Sequence, residues 1–471
     1  MHAFRYDAVS FVARFYARLF TIAVACIVQS PGVGRRSGVG GMCPASSAPQ
    51  DGPVMSGVDR SRLAIFTSSL GGGGVQRSMR NLAVALVDRG YAVDLIVCHD
   101  DPTLAGELRR AGVHVTVLSA STAGLGRLLA LAADPGGWRE LGPTVLWPLK
   151  TWRKLDFLAG LRDHLRARPP IGLLSAMTQC NLVAVWAHRL AGRPGRVVVS
   201  ERNMLSSFIT RYQDKSRWRH LAPLVRRTYA RADAIIGVSQ AVADDLIDCA
   251  GLDRARLHTA PNPVIDTTLR HHAGQPRRDG WFAPGQAPVV LGVGRLVDQK
   301  DPHTLLRAFA RVRANRPVRL VLIGDGDERA ALADHATRLG VADDVALPGW
   351  DEQPFSAMAA AGVFVLPSRW EGLPGVLIQA LACGCPVVAT DCPGGSAEVL
   401  DNGRYGALVA VGDEIAMARA IEAALDTPGE VAVRREHAER YSANNAAACY
   451  AALLDPAATR PSAPTEASIP A

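Results

Sequence analysis

Two cationic side chains, Arg295 and Lys300, lie five residues apart in a segment that follows the apolar run 289–293. A guanidinium presents a rigid fork of hydrogen-bond donors and an ammonium is a movable point charge, so the two can flank a diphosphate. A pair of this kind more often belongs to a solvated loop. Its position after a predicted strand favours phosphate binding, because parallel sheets bind ligands beyond the carboxyl ends of their strands.

A second motif follows the apolar run 363–366. Glu371 is a carboxylate in a predicted loop before a helix. Gly372 and Leu373 come next and can turn their backbone amides toward a cleft. Gln379 is a polar residue eight positions after the carboxylate, within the second turn of the predicted helix.

Four successive glycines follow the first apolar run and precede a predicted helix: Gly71, Gly72, Gly73 and Gly74. Without side chains, their backbone amides can approach a ligand closely, and the start of a helix favours negative charge. A flexible turn is the alternative. The spacing matches neither GxGxxG nor GxxxxGK[ST], which disfavours a dinucleotide site or a P-loop.

Short apolar runs alternate with helical periods in two series, which predicts parallel sheets with helices on both faces. The runs are 63–67, 93–98, 113–118, 171–174, 196–199 and 234–238 in the first series, and 289–293, 320–323, 345–347, 363–366, 386–389 and 408–411 in the second. The sequence therefore predicts an α/β protein with two Rossmann-like domains facing each other across a cleft.

The predicted boundaries divide the chain into five parts. They are an N-terminal extension (1–61), a first domain (62–265), a linker (266–288), a second domain (289–430), and a C-terminal helix with a disordered tail (431–471). The extension is interpreted as disordered, or as an over-long gene prediction with its true start at Met55. A peripheral membrane anchor and an export signal are the alternatives; its apolar run, 19–28, is too short to span a bilayer.

The composition is typical of a globular enzyme. With 471 residues, 48% hydrophobic and 20% charged, the chain is neither wholly disordered nor a polytopic membrane protein. Nine cysteines without a CxxC pair indicate reduced thiols in a cytosol rather than disulfides or a zinc site. The net charge of +8 indicates an anionic partner, for which nucleotide phosphate, lipid headgroups and nucleic acid all fit.

The segment 367–390 resembles the retaining glycosyltransferases of family 4, which have the GT-B fold. Those enzymes carry the pattern E-x7-E here, and the likeness continues through 391–400. It covers roughly residues 62–430 and is strongest over 289–411. The resemblance implies that the second domain binds a nucleotide-sugar donor and that the first domain forms the acceptor side.

The resemblance also implies catalytic roles. Arg295 and Lys300 match the pair that holds the diphosphate of the sugar donor and stabilises the leaving nucleotide. Glu371 matches the first Glu of the pattern, which contacts the hydroxyls of the donor sugar near the reacting carbon.

The remaining matches concern binding. Gly372 and Leu373 would direct backbone amides toward the phosphates, and the glycine segment 71–74 would lie near the acceptor and the phosphate. Gln379 stands where the family usually has the second Glu, which binds the ribose hydroxyls; an amide can still accept one hydrogen bond there. Glu398 is expected in the cleft.

Three other features receive separate interpretations. Asp325 and Asp327 resemble a metal-binding DxD motif, but family 4 enzymes have a similar loop without metal, so neither a metal nor a cofactor is expected. The pair His271–His272 is interpreted as a solvated turn. Glu201 ends a predicted first-domain strand and is a candidate on the acceptor side.

Basic residues are concentrated in two stretches of the first domain. Eight Lys or Arg lie within 202–231 and six within 150–168; Trp147 lies just before the second stretch, and Trp152 and Phe157 are interleaved with its cations. This combination predicts a contact with anionic lipid, with a solvated face as the alternative. Nucleic acid is not expected as a partner, since no recognised nucleic-acid fold accompanies the stretches.

The predicted function is transfer of a hexose from a UDP- or GDP-linked sugar to a glycan or a lipid-linked acceptor, with retention at the anomeric carbon. The implied process is synthesis of cell-envelope polysaccharide, such as lipopolysaccharide, or of a glycolipid, in the cytoplasm or at the inner face of the membrane. The alternatives are a degenerate GT-B module that only binds sugar nucleotides, and another GT-B enzyme such as a nucleotide-sugar epimerase.

Overall fold

The computed structural model describes residues 61–146, 152–211, 218 and 220–459. The predicted N-terminal extension, apart from residue 61, lies outside the described residues, and so does the end of the predicted C-terminal tail. No helix in the described ranges combines the length and apolarity needed to cross a bilayer. The cysteines in these ranges form no disulfide.

The first domain is built on a parallel sheet of seven strands in the order β3-β2-β1-β4-β5-β6-β7. The strands are β1 (Arg62–Ser69), β2 (Ala92–His99), β3 (His114–Val117), β4 (Gly172–Ala176), β5 (Arg196–Glu201), β6 (Ala234–Gly237) and β7 (Leu257–Thr259). The six predicted runs are confirmed as strands. The sequence pattern missed β7, because its three residues are all partly or fully exposed and give no apolar run.

The second domain is built on a parallel sheet of six strands in the order β10-β9-β8-β11-β12-β13. The strands are β8 (Val289–Val293), β9 (Arg319–Ile323), β10 (Val345–Gly349), β11 (Val363–Leu366), β12 (Val387–Thr390) and β13 (Ala407–Val409). All six predicted runs are confirmed. The doubly wound strand order in both sheets confirms the predicted class, two Rossmann-like α/β domains.

Helices cover both faces of each sheet. In the first domain they are α1 (Gly74–Asp88), α2 (Pro102–Arg110), α3 (Ala123–Ala133), α4 (Trp138–Leu141), α5 (Leu158–Ala167), α6 (Thr178–Leu190), α7 (Leu205–Arg211), α8 (Leu221–Tyr229) and α9 (Gln240–Ala250). After it come α10 (Thr267–Ala273), α11 (Pro302–Asn315), α12 (Arg329–Arg338), α13 (Phe355–Ala360), α14 (Gly375–Cys383), α15 (Ser396–Val399), α16 (Glu414–Asp426), α17 (Val431–Ala438) and α18 (Ala443–Leu454).

Strand β1 shows why an apolar core and helices are needed on both faces of the sheet. Successive side chains of a strand point to opposite faces, so an apolar run without alternation needs a core on both sides. Leu63 and Ile65 belong to a core under α1, whereas Ala64 and Phe66 belong to the core on the other face, and all four are at most 1% exposed.

The predicted linker contains a helix. Residues 267–273 form α10. The side chain of Asp266 caps the start of this helix by accepting the N–H of Leu269, and the helix packs on α13 and α14. Seven residues are too few to produce a recognisable helical period. The linker therefore packs against the second domain.

The C-terminal segment returns to the first domain. Helix α17 packs on α14, but α18 packs on α1 and the first sheet, where Tyr450 and Leu454 are fully buried. The sequence predicted one C-terminal helix, and the structure has two, separated by a short turn at 439–441.

Two aromatic residues of the predicted lipid-facing stretches, Trp152 and Phe157, are buried and so do not face a membrane. Trp152 and Phe157 are 3% and 5% exposed, and Trp152 stacks on Trp218 with ring centroids 5.7 Å apart. The residues between them form a tight 3-10 turn, Arg153–Phe157, which turns the aromatic rings into the core while the cations stay outside. Trp147 lies outside the described residues.

Several cations of these stretches are paired with a carboxylate or buried. Arg227 and Arg231 both bond the carboxylate of buried Asp134, at 2.6 and 2.7 Å. Arg202 is only 7% exposed. These residues stabilise the first domain and do not form an open basic surface.

Candidate active site

The two charged loops of the second domain meet at one carboxylate. The Nζ atom of Lys300 lies 2.5 Å from Oε1 of Glu371, and Oγ of Ser368 donates to the same oxygen at 2.6 Å. The two loops follow β8 and β11, which are neighbours in the sheet. Strand adjacency thus brings together residues 71 positions apart in the chain.

Local structure fixes Lys300 at the start of α11. It ends a 3-10 turn, and the next residue, Asp301, adopts a left-handed backbone conformation with φ 41°. A non-glycine residue in this region stores roughly 1–3 kcal/mol of strain. Two bonds offset it, because the Asp301 carboxylate caps α11 at the N–H of Thr304 and accepts its hydroxyl at 2.8 Å.

The two loops are also joined through their backbones. The N–H of Arg369 donates to the carbonyl of Gln299 at 2.8 Å, and the side-chain amide of Gln299 donates to the carbonyl of Trp370 at 3.0 Å. The guanidinium of Arg369 lies 3.3 Å from Asp301. The contact between Lys300 and Glu371 is therefore held by a connected scaffold.

Arg295 differs from Lys300 in being free. Its side chain is exposed, and its guanidinium has no partner among the described residues. The loop that carries Arg295 is hydrogen-bonded to the loop after β9: the N–H of Leu296 donates to the carbonyl of Asp325 at 2.9 Å. A Cβ atom on Gly326 would lie 2.3 Å from the carbonyl oxygen of Leu296, so only glycine permits this approach.

The Asp325–Gly326–Asp327 turn thus has a structural role, supporting the Arg295 loop. Oδ1 of Asp325 accepts the N–H of Gly326 at 2.9 Å. Within the ranges described, no three His, Cys, Asp or Glu side chains are grouped to hold a metal ion.

Gly372 and Leu373 present free amides. Neither N–H is hydrogen-bonded to any residue in the described part of the chain, although both residues are buried. Gly372 touches the first domain, where a Cβ atom would lie 2.1 Å from the carbonyl oxygen of Arg202. This close approach explains the glycine, and the free N–H groups fit the predicted role of binding an anion.

Gln379 lies half-buried on α14, and its side-chain amide makes no hydrogen bond within the described residues. The glycine segment 71–74 is a partly exposed turn that leads into α1, whose first amides have no side-chain cap. Gly72 has φ 100°, which favours glycine. Both features leave polar groups available to a ligand.

Helix α1 also reaches the second domain. The guanidinium of Arg77 donates to the carbonyl of Glu352 at 3.0 Å, and that of Arg80 bonds the Glu352 carboxylate at 3.1 Å. The glycine segment therefore lies at the edge of the cleft between the domains.

Glu398 lies where the two domains meet. Its Oε2 accepts the N–H of Gln240 at 2.8 Å, at the first residue of α9 in the other domain. Burial raises the pKa of this carboxyl, and the hydrogen bond from Gln240 opposes the rise. Its visible role is to connect the domains.

Glu201 is enclosed in the first domain and is 3% exposed. The hydroxyl of Tyr229 donates to its Oε1, and that of Thr178 donates to Oε2 at 3.1 Å. Burial raises the pKa of Glu201 to about 7, against the hydrogen bonds, which lower it. The structure thus shows Glu201 as a buried, hydrogen-bonded carboxyl of the first domain.

Sequence reasoning missed three residues that touch the site. Ser368 bonds Glu371, whereas Ser239 and Asn262 of the first domain bond the carbonyls of Gly372 and Leu373. Two signals were present: Ser239 precedes a predicted helix as an N-cap would, and Asn262 stands between two prolines.

The chain matches two family models. The model described as Glycosyltransferase Family 4 matches residues 72–267, and the model described as Glycosyl transferases group 1 matches residues 287–427. Together the matches cover both domains.

Curated relatives and solved structures agree with this. The chain is 26% identical over 375 residues to the Campylobacter jejuni N-acetylgalactosamine-N,N'-diacetylbacillosaminyl-diphospho-undecaprenol 4-alpha-N-acetylgalactosaminyltransferase, covering 78% of this chain and 90% of that protein. It is 42% identical over 139 residues to the lipopolysaccharide core biosynthesis glycosyltransferase LpsE of Rhizobium meliloti, covering 30% and 40%. The fold is similar to that of Anabaena HepE in complex with UDP and glucose, with a TM-score of 0.64 and 21% identity, covering 83% of this chain and 98% of that one.

Proposed function

The chain belongs to glycosyltransferase family 4 and has the two-domain GT-B fold, and we propose that it transfers a hexose from a nucleotide-diphosphate sugar with retention. The observation that carries the proposal is the Lys300–Glu371 pair, together with the free guanidinium of Arg295 in the same loop as Lys300 and the free amides of Gly372 and Leu373 directly after Glu371. This set combines cations and N–H donors for a diphosphate with a carboxylate for sugar hydroxyls.

The proposed mechanism uses charge stabilisation and no protein nucleophile. The acceptor hydroxyl attacks the anomeric carbon from the face that the diphosphate leaves, and the bond from that carbon to the phosphate oxygen breaks. The departing phosphate oxygen takes the proton of the acceptor. Arg295 and Lys300 stabilise the negative charge that develops on the diphosphate, and Glu371 holds the sugar.

The acceptor is proposed to be a glycan or a lipid-linked glycan of the cell envelope. The names of the Campylobacter and Rhizobium relatives support this acceptor. The UDP bound in the HepE complex supports UDP as the nucleotide of the donor. A lipid-linked acceptor requires contact with a membrane surface. Leu125, Leu128 and Trp138 of the first domain are 41%, 37% and 58% exposed and would supply it in place of the buried Trp152 and Phe157.

A screen of UDP- and GDP-hexoses by thermal shift, followed by turnover with a polyprenyl-diphosphate glycan, tests the function. We expect one nucleotide sugar to stabilise the protein and to be consumed only when acceptor is present. The anomeric configuration of the product, read by NMR, should equal that of the donor. Binding without any transfer or hydrolysis would support the degenerate module, and an inverted product would contradict retention.

Removal of divalent metal should leave turnover largely intact. The diphosphate charge is proposed to be met by Arg295 and Lys300, so EDTA is expected to change kcat by less than about twofold. The measurement is turnover before and after chelation. Loss of activity in EDTA with rescue by Mn²⁺ would contradict the metal-independent mechanism and make Asp325 and Asp327 the first candidates for metal ligands.

Gln379→Glu should tighten donor binding modestly and leave kcat nearly unchanged. A hydrogen bond to a charged group is stronger than a neutral one by about 1 kcal/mol, which corresponds to about a fivefold lower KM for the nucleotide sugar. Gln286→Glu adds the same charge at an exposed position and is the control. A large rise in kcat would instead mean that Gln379 limits the natural enzyme.

A further inference from the structure

Two first-domain side chains hold the backbone of the Gly372–Leu373 segment. Oγ of Ser239 donates to the carbonyl of Gly372 at 3.1 Å, and the side-chain amide of Asn262 donates to the carbonyl of Leu373 at 3.2 Å. The segment belongs to the second domain, so both bonds cross between domains. They hold the residues whose free N–H groups face no protein partner.

Arg202 fixes the orientation of the Asn262 side-chain amide. Nη1 of Arg202 donates to Oδ1 of Asn262 at 2.5 Å, which leaves the NH₂ group of Asn262 to face Leu373. Arg202 is 7% exposed and has no carboxylate partner in the described part of the chain. Its other contacts are the sulfur of Met79 and the ring of Tyr450, which are uncharged. Its charge therefore acts chiefly on Asn262.

Ser239 is fully buried at the N-terminus of α9 and makes two bonds with one hydroxyl. Its oxygen caps the helix by accepting the N–H of Val242 at 3.3 Å, and its proton goes to the Gly372 carbonyl. That carbonyl also accepts the N–H of Gly395 at 2.8 Å. Ser239 therefore reinforces an orientation that the second domain already favours.

The geometry of a trans peptide connects these bonds to the diphosphate site. The carbonyl of Gly372 and the N–H of Leu373 belong to one planar unit and point in opposite directions. Holding the carbonyl toward α9 turns the N–H away from it. The Leu373 carbonyl precedes Pro374, which has no N–H and occupies the N-cap position of α14, so the bond from Asn262 holds the entry into that helix.

We propose that Asn262, oriented by Arg202, and Ser239 are positioning residues for the diphosphate of the sugar donor. The inference rests on the proposed function. Neither residue touches the phosphates: Ser239 holds the peptide unit that carries the free N–H of Leu373, and Asn262 holds the next carbonyl and with it the turn into α14. Contact between the domains thereby completes the phosphate site.

The test uses inorganic pyrophosphate as the probe, with uridine as a ligand that lacks phosphate. Asn262→Asp keeps an oxygen facing Arg202 and removes the N–H donor to Leu373. We expect its pyrophosphate affinity, measured by calorimetry on the full chain, to fall about five- to tenfold. Ser239→Ala should lower it about threefold, because Gly395 still holds the carbonyl. Uridine affinity should stay within twofold in both variants.

Ser442→Ala is the matched control for the lost helix cap. Ser442 caps α18 by accepting the N–H of Asn445 at 3.4 Å. It makes no hydrogen bond to the Gly372–Leu373 segment. It should retain full pyrophosphate affinity. If Asn262→Asp does not fold, the pyrophosphate affinity of Ser239→Ala tests the inference by itself.

Pyrophosphate affinity within twofold of the wild type in the folded variants would overturn the inference. Equal losses for pyrophosphate and uridine would also overturn it, because they would indicate a general structural defect. Failure of the proposed function is separate: it would show as a wild-type chain that consumes no nucleotide sugar.

Discussion

Replacing Lys300 with alanine is expected to lower kcat about 100- to 1000-fold. A charged group that meets negative charge developing in the transition state typically contributes about 2.7–4 kcal/mol. The side chain of Lys300 is 19% exposed, so water screens it little. Arg295→Ala should also lower kcat, but by a smaller factor, because its free guanidinium is exposed and water screens its charge more. The measurement is kcat with the selected nucleotide sugar.

Two further variants separate charge from geometry. Lys300→Arg keeps the charge but replaces a compact ammonium by a planar fork, so it should recover only part of the activity. Arg311→Ala is the control, because Arg311 is half-exposed and pairs with Glu414 on the surface at 3.1 Å. Such pairs are worth about 0–1 kcal/mol, and kcat should not change. Activity of Lys300→Ala within about tenfold of the wild type would remove Lys300 from the mechanism.

The sequence placed Lys300 and Glu371 in loops that follow predicted strands, and the strand order seen in the structure brings the two residues into contact. Apolar runs gave β8 and β11, and residues at the carboxyl ends of neighbouring parallel strands must meet at one edge of the sheet. Glu398 also follows a strand of the second domain, but its contact could not be predicted from the strands. Its partner, Gln240, belongs to the first domain, 158 residues away, and only the approach of the two domains brings them together.

Asn262 illustrates the same limit. Its neighbours in the chain indicate a turn, but its bond to Leu373 crosses 111 residues between domains. Local pattern also misjudged the aromatic residues Trp152 and Phe157. Cations beside aromatic rings suggested an exposed surface, whereas a short 3-10 turn has no periodicity that reveals which side chains face inward.

Replacing Glu371 with alanine is expected to lower kcat at least tenfold and up to about 100-fold. Its side chain is 8% exposed and is proposed to bond the donor sugar, and a hydrogen bond to a charged group is worth about 1.5–3 kcal/mol. Part of the loss comes through Lys300, which would no longer be held 2.5 Å from a carboxylate. Turnover and KM for the nucleotide sugar distinguish lost catalysis from lost binding.

A double-mutant cycle with Lys300→Ala tests whether the two residues act as one unit. If Glu371 works partly by placing Lys300, the double variant should lose less than the product of the two single losses. Fully multiplicative losses would mean that the carboxylate and the ammonium act on different parts of the donor. A harmless Glu371→Ala, together with activity that arises only in Gln379→Glu, would contradict the enzyme and favour a sugar-nucleotide binding module, because binding alone does not need a carboxylate beside the reacting carbon.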